Sequence, residues 1–322
     1  MPLKVNNLEL MTRLPELPSS IPVFALSAPS LDDRRAAIGH LAEYFKLGTL
    51  RSAEFDHAVV MASAQGDVQY FPASGAVLAR DATAGRGQEN ELRRWDGLQD
   101  SKSGGDRMSL TPEVSKYLIS LAQELLEPIG LLGKEMAWAA VQLEQVAHLD
   151  GEGKEIEYGA GRATVKFGYA VEGVPVRGAG AKTLAFADPD TGAPRITGVF
   201  HAWRTLGQAT AIKLPSLEQA LGVGLLTDPE LDLYHRAGHR IQITRLDFGY
   251  LALPAFMRQS HLFPAFQVEG KVSEGKRGIG FGFGRFHHAA PPAAYAEAGL
   301  AGPYLTVNPD GIRPLRQPQK RA

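Results

Sequence analysis

A chain of 322 residues has room for two or three modules, each with its own core, and 44% apolar with 21% charged residues is an ordinary globular composition. Its 34 Lys and Arg nearly cancel 35 Asp and Glu, leaving a net charge of −1, so no overall field draws in nucleic acid or an anionic membrane surface. The absence of cysteine excludes disulfides, thiol nucleophiles and thiolate metal sites together, and no run approaches the roughly 20 apolar residues that cross a bilayer.

Residues 1–30 read as an N-terminal extension. They lack the continuous apolar stretch of a secretory signal, which points to the cytoplasm for the chain as given, although a cysteine-free composition suits export equally well. A first module spans 31–81. Its helix runs from Leu31 to Leu47, capped by Ser30, with Asp32 and Asp33 at the positive end and Ile38, Leu41, Ala42 and Phe45 as the apolar stripe. Gly48 stops it, and strands follow near 58–64, 68–71 and 76–80, separated by turn-forming residues. Residues 82–110 are polar and glycine-rich and read as a linker, with Trp95 as the residue that docks on a neighbouring module.

The second module covers 111–206. Thr111 as N-cap, Pro112 at the first helical position and Glu113 beside it start a helix. Val114, Tyr117, Leu118, Leu121, Ala122 and Leu125 give it one buried face. Strands are expected near 138–148, 162–171, 176–187 and 196–205, with turns at Glu172-Gly173 and Asp188–Gly192. A third module, 211–288, starts with a helix at Ser216, where Gln219 has capping-box spacing, ending near Leu226, and continues as strands near 240–253, 263–272 and 278–287. Residues 289–322 form a Pro, Gly and Ala-rich tail that wraps the surface, and its Arg313, Arg316, Lys320 and Arg321 read as a solvated basic end. The fold class expected from this order is α+β, a repeated helix plus antiparallel meander with helices covering one face of the sheets.

Within the second module, Gly173-Val-Pro-Val-Arg-Gly178 sits between two alternating strands, followed by Asp188-Pro-Asp-Thr-Gly192 and by Ile196-Thr-Gly-Val. This order resembles the PepSY and FTP-type domains found in propeptides of thermolysin-like peptidases, over about residues 110–206. Tyr250-x-Ala-x-Pro254 followed by Leu262 to Gly270 is similar to regulatory extracytoplasmic proteins built from such modules. The resemblance implies an inhibitor or folding chaperone of a partner peptidase, or a regulatory sensor. The peptidase itself is absent, because no H-E-x-x-H occurs.

Gly178-Ala-Gly-Ala-Lys-Thr183 fails as a phosphate loop, since the two required glycines are Ala181 and Val176. Gly278-Ile-Gly-Phe-Gly-Phe-Gly-Arg285 fails as a dinucleotide fingerprint at Phe283; its strict alternation instead makes one glycine face of a strand, either a close-packing face or a floor for a flat ligand. His235 and His239 are spaced to share a helix face and are weak metal candidates, with Gly238 against the helix. His287 and His288 point to opposite faces of a strand. No G-x-S-x-G elbow is present.

The candidate ligand- or partner-binding residues are Trp203, Arg204, Tyr250, Glu269, Phe281, Phe283 and Arg285. Trp203 and Arg204 read as an aromatic plug of the core with a solvated Arg, or as a groove in which Trp203 stacks and Arg204 pairs with a carboxylate. Tyr250, Glu269 and Arg285 lie on successive strands, as a polar site or an external charge ladder. No catalytic residue and no cofactor is assigned. The favoured function is a non-enzymatic regulator of PepSY-like type that binds a protein or peptide by strand addition at an open sheet edge. The alternative is a cofactor-independent isomerase, cyclase or small-molecule carrier, its pocket walled by Trp203, Tyr250, Phe281 and Phe283 with Glu269 and Arg285 as polar points. A component of a larger assembly would instead show a large apolar patch.

Overall fold

The computed structural model describes residues 8–84, 92–100, 107–189, 193–223, 225, 228–273 and 280–300. Strands account for 48% of these residues and helices for 19%, and fifteen strands join in one large mixed sheet. The expected α+β arrangement of repeated helix-plus-meander modules is therefore overturned: the protein is mainly β, and its sheet runs continuously through the segments that looked like separate modules.

The helices behind the first half form where their caps dictate. In α1 (Leu31–Tyr44), Ser30 Oγ accepts from the Asp33 amide while the Asp33 carboxylate accepts from the Ser30 amide, a reciprocal capping box. In α2 (Pro112–Leu126), the Thr111 hydroxyl caps Val114 N–H, and Pro112 gives up no hydrogen bond at its position. Their apolar faces, Ile38 and Leu41 on α1 and Leu118, Ala122 and Leu126 on α2, cover β4 (Val59–Ala62), β5 (Gly66–Phe71), β6 (Ala76–Asp81), β9 (Met136–Leu149), β10 (Glu155–Val171), β12 (Lys182–Asp188) and β13 (Arg195–Ala202). Short β3 (Arg51–Glu54) closes this end. The fusion of the two segments is made by β13, which pairs antiparallel with β6 from Gly198↔Arg80 to His201↔Val77.

A second core gathers around β2 (Ser20–Ser27), β14 (Thr205–Lys213), β15 (Arg240–Leu251), β16 (His261–Ser273) and β17 (Gly280–His288), with α3 (Leu217–Val223), α4 (Pro229–Arg236) and α5 (Pro292–Glu297) against it. Here β2, from the segment ahead of α1, lies between β14 and β16. Both β1 (Leu8–Leu10) and β11 (Val174–Arg177) pair in parallel with β15. Alternating hydrophobicity reports which face of a strand is buried and says nothing of its neighbours, so these long-range pairings had no local signature. A helix was not anticipated at Pro229, where Asp228 Oδ1 accepts from the Glu230 and Leu231 amides.

Between Leu98 and Leu110, β7 (Leu98–Asp100) and β8 (Met108–Leu110) pair on their own. Trp95 is buried and its indole Nε1–H donates to Gly161 O at 2.8 Å. From the C-terminal segment, Ala289, Ala290 and Tyr295 are buried in the second core. Leu226, Gly278, Ile279 and the four basic C-terminal residues lie outside the described residues, as does Asp190 to Gly192.

Only Trp203 and Arg204 separate β13 from β14, so the chain passes from one core to the other in two residues. The loop after β15 is held tightly against this crossing. Gly178, at φ +91°, and Gly180 let it approach: Gly180 N–H donates to Ala252 O at 3.1 Å, and a Cβ on Gly180 would meet Leu253 O at 1.8 Å. Gly180→Ala is expected to destabilise the fold by about 2 kcal/mol or more through this overpacking. An unchanged urea midpoint would show that the loop is not packed as described.

Candidate functional site

The seven candidate residues do not converge. Tyr250 is fully buried in the second core, its hydroxyl donating to Pro22 O at 2.7 Å and its ring edge-on to Phe24. Glu269 stands on the opposite, outward face, where it accepts from Arg245 at 3.3 Å and from Gln267 at 3.0 Å, a charge ladder and not a ligand site. Phe281, 44% exposed, meets Tyr234 edge-on, while Phe283 packs on the second core. Arg285 turns inward and is consumed: both Asp228 oxygens accept from Nη1 at 3.1 Å, and Glu230 lies 2.6 Å from Nη2. Strand alternation separates them, because Glu269 pairs with Gly284 and Val268 with Arg285, putting the two charges on opposite faces.

The metal pair fails for a similar reason. His235 closes α4, and Gly238 at φ +80° ends the helical path before His239, which meets Tyr234 instead. Among the described residues no group of three His, Cys, Asp or Glu is placed to hold a metal ion. On β17 the glycine face is open, with Gly282 and Gly284 exposed beside the ladder of β16.

Trp203 and Arg204 do reach a site, and it is one whose other members were not anticipated. A cleft of about 760 Å³ opens where the two cores meet. Phe24, Val171, Trp203 and Leu206 supply its apolar wall, and Arg34, Lys134, Glu135, Glu172, His201 and Arg204 its polar groups. Trp203 is fixed by stacking on Tyr169, with ring centroids 4.6 Å apart and planes 4° from parallel.

Beneath the cleft runs a chain of buried hydrogen bonds whose direction is forced. Cross-strand register puts Phe167, Thr183 and His201 in one row on the inward face of β10, β12 and β13. Arg34 reaches that row from α1, its Nη2 lying 3.1 Å from His201 Nε2. A guanidinium can only donate, so Nε2 must accept, and the ring proton sits on Nδ1, which donates to Thr183 Oγ1 at 2.9 Å. Thr183 then donates to the Tyr169 oxygen at 2.5 Å, and Tyr169 donates to Leu131 O at 3.4 Å. Burial first, then the charge of Arg34, holds the His201 pKa well below 6.5, and burial pushes Tyr169 up to about 12. Both groups are neutral at pH 7, and neither imidazole nitrogen is free to take a proton from a substrate.

Among the described residues neither arginine has a carboxylate partner. Arg34 Nε donates to Gly75 O at 3.0 Å and Nη2 also to Trp203 O at 3.3 Å, with no acceptor for Nη1 among the described residues. Arg204, 2% exposed, donates to Leu253 O, Pro254 O and Met257 O and leaves its buried Nε unpartnered. Burial alone lowers its pKa to about 10. It clamps the loop after β15 while lining the cleft, neither solvated nor paired with a carboxylate among the described residues.

Thr183, His201 and Tyr169 carried a usable signal, for they are polar residues in phase with the inward apolar positions of their strands. Arg34 carried none, since Asp32-Asp33-Arg34-Arg35 reads as the solvated start of a helix. Lys134 and Glu135 stand in a turn with no motif around them, and Glu172 shows in the sequence only as the turn residue ahead of Gly173-Val-Pro-Val-Arg-Gly178.

Two tests follow from these environments. Arg204→Met strands three carbonyls and is expected to lower stability by about 3 kcal/mol, given ~1.5–3 kcal/mol for hydrogen bonds to a charged group; a loss within 0.5 kcal/mol, about the scale of a neutral surface change, would deny it the clamp role. His201, His287 and His288 all have pKa values lowered by burial, His288 to about 4. An imidazole with its folded pKa depressed takes its proton first in the unfolded chain. Stability is therefore full above about pH 6.5 and falls as the pH drops towards 4. Urea midpoints should hold from pH 7.5 to about 6.5 and then decline down to pH 4.5, and a flat profile across the whole range would contradict neutral burial of these rings.

No family model matches this chain, and no curated protein matches it. Its fold is similar to the crystal structure of an uncharacterized protein from Eubacterium rectale ATCC 33656, with a TM-score of 0.50 and 9% identity over 89% of this chain and 90% of that one. That likeness concerns the fold alone.

Proposed function

We propose that the protein is a non-enzymatic, regulatory binding protein that takes a carboxylate-bearing ligand in the cleft between its two cores. One observation carries the reading: half-buried Arg34 and buried Arg204 line the cleft with no carboxylate partner among the described residues, and Lys134 stands at the same opening, likewise without an ion-pair partner among them. An unpaired buried cation costs free energy that an anionic ligand offsets. The cleft volume falls within the roughly 300–1,000 Å³ of small-ligand sites, and the apolar wall around Trp203 supports a ligand with a hydrophobic body.

Binding is favoured over acid–base catalysis because His201 has both nitrogens committed and Tyr169 is held neutral. The PepSY-like reading of residues 110–206 agrees with a regulatory role and names a peptide as the class of partner. Strand addition is a weaker account of the recognition, since the polar groups gather in the cleft and not along an open edge.

Thermal shift with N-acetyl-Ala-Phe and its C-terminal amide tests the reading. The free acid should raise the melting temperature and the amide should not. Lys134 is exposed and its side chain makes no hydrogen bond or ion pair among the described residues, so Lys134→Ala should weaken binding of the acid about tenfold, or ~1.4 kcal/mol, with the unliganded melting temperature unchanged. Equal shifts by acid and amide would refute recognition of the carboxylate.

A further inference from the structure

The cleft holds charges of both signs, and neither sign is neutralised by the other. Glu135 and Glu172 line it together with Arg34, Lys134 and Arg204, yet no ion pair within 4.0 Å joins any of the five among the described residues. Elsewhere the chain pairs its charges readily, as in Arg80–Asp67, Arg107–Glu155, Arg240–Glu9 and Arg285–Glu230. Two carboxylates left beside three cations, all facing one opening, are placed for something other than each other.

The backbone adds a second, independent sign. Glu172 is the first central residue of the β10–β11 hairpin, at φ +51°, followed by Gly173 at φ +79°. Such a turn needs positive φ at both positions, which Asn, Asp and Gly adopt at least cost. Glu172 lines the cleft from this backbone conformation, which costs a non-glycine residue local stability, the pattern of strain retained at functional positions. Glu135 is accommodated in a comparable way: its Oε2 occupies the space beside Gly133, 3.0 Å from where a Cβ would stand. The loop thus presents Lys134 and Glu135 side by side, with no side chain at Gly133 to crowd them.

We propose that the ligand is a zwitterion of the amino-acid class, a short free peptide held at both ends, its carboxylate by Arg34, Arg204 and Lys134 and its ammonium by Glu135 and Glu172. The proposal rests on the carboxylate reading above and adds the second charge. Trp203, Phe24 and Leu206 then face the body of the peptide, favouring an aromatic or branched residue between the two charged ends.

Isothermal titration of the full chain at pH 7 with Ala-Phe, N-acetyl-Ala-Phe and Ala-Phe-amide separates the two charges. Ala-Phe should bind most tightly, with acetylation and amidation each costing tenfold or more. In Glu172→Gln, an exposed position, the penalty for acetylation should shrink while that for amidation stays; Glu135→Gln should act the same way. If the acetylated peptide binds as tightly as the free one, the ammonium subsite is wrong and the carboxylate reading stands. If the amide binds as tightly as the free acid, or none of the three binds at millimolar concentration, the carboxylate reading itself is overturned and this proposal with it.

Discussion

The hydrogen-bond chain from Arg34 through His201, Thr183 and Tyr169 to Leu131 is the constraint on which the site depends. It joins α1, three neighbouring strands and the turn after α2 where the two cores meet. Its polarity follows from a single fact, that a guanidinium has no lone pair to offer. With Arg34 donating at one end, each later group has one assignment left, and the backbone carbonyl of Leu131 absorbs the last proton. Removing a link leaves a buried donor or acceptor unmatched, which costs more than the bond itself contributes.

This chain also sets the character of the cleft above it. Because the imidazole and the phenol are neutral and committed, the only charges at the opening are those on its rim and on the two arginines. A buried guanidinium hydrogen-bonded to carbonyls keeps its positive charge, and Arg204 combines that charge with a mechanical task in clamping the loop over Gly178 and Gly180. The crossing from β13 to β14 therefore brings fold and recognition together: Trp203 stacks on Tyr169 on one side of it, and Arg204 anchors the loop on the other.

Much of the local structure was legible in the residues. Ser30 with Asp33 and Thr111 with Pro112 announce their helices because caps act within one turn of chain, and the hairpin at Glu172-Gly173 follows from the same short-range chemistry. The architecture was not legible, since the pairing of β13 with β6 and the placing of β2 between β14 and β16 depend on partners far along the chain. Period-two patterning gives the same strand whether it closes a small meander or continues a fifteen-stranded sheet. The site was legible only in part: Trp203 and Arg204 stood out by residue type, but Arg34 looked solvated and Arg285, which looked available, is consumed by Asp228 and Glu230.

Nitrogen-15 chemical shifts of the His201 ring, assigned against a His201→Gln control, test the account most directly. At pH 7 the ring should be neutral with its proton on Nδ1 and a bare, hydrogen-bond-accepting Nε2, and it should remain so as the solution is brought to pH 5.5. A proton on Nε2, or an imidazolium forming near pH 6.5, would mean that Arg34 does not donate to this ring and that the chain beneath the cleft is not arranged as described.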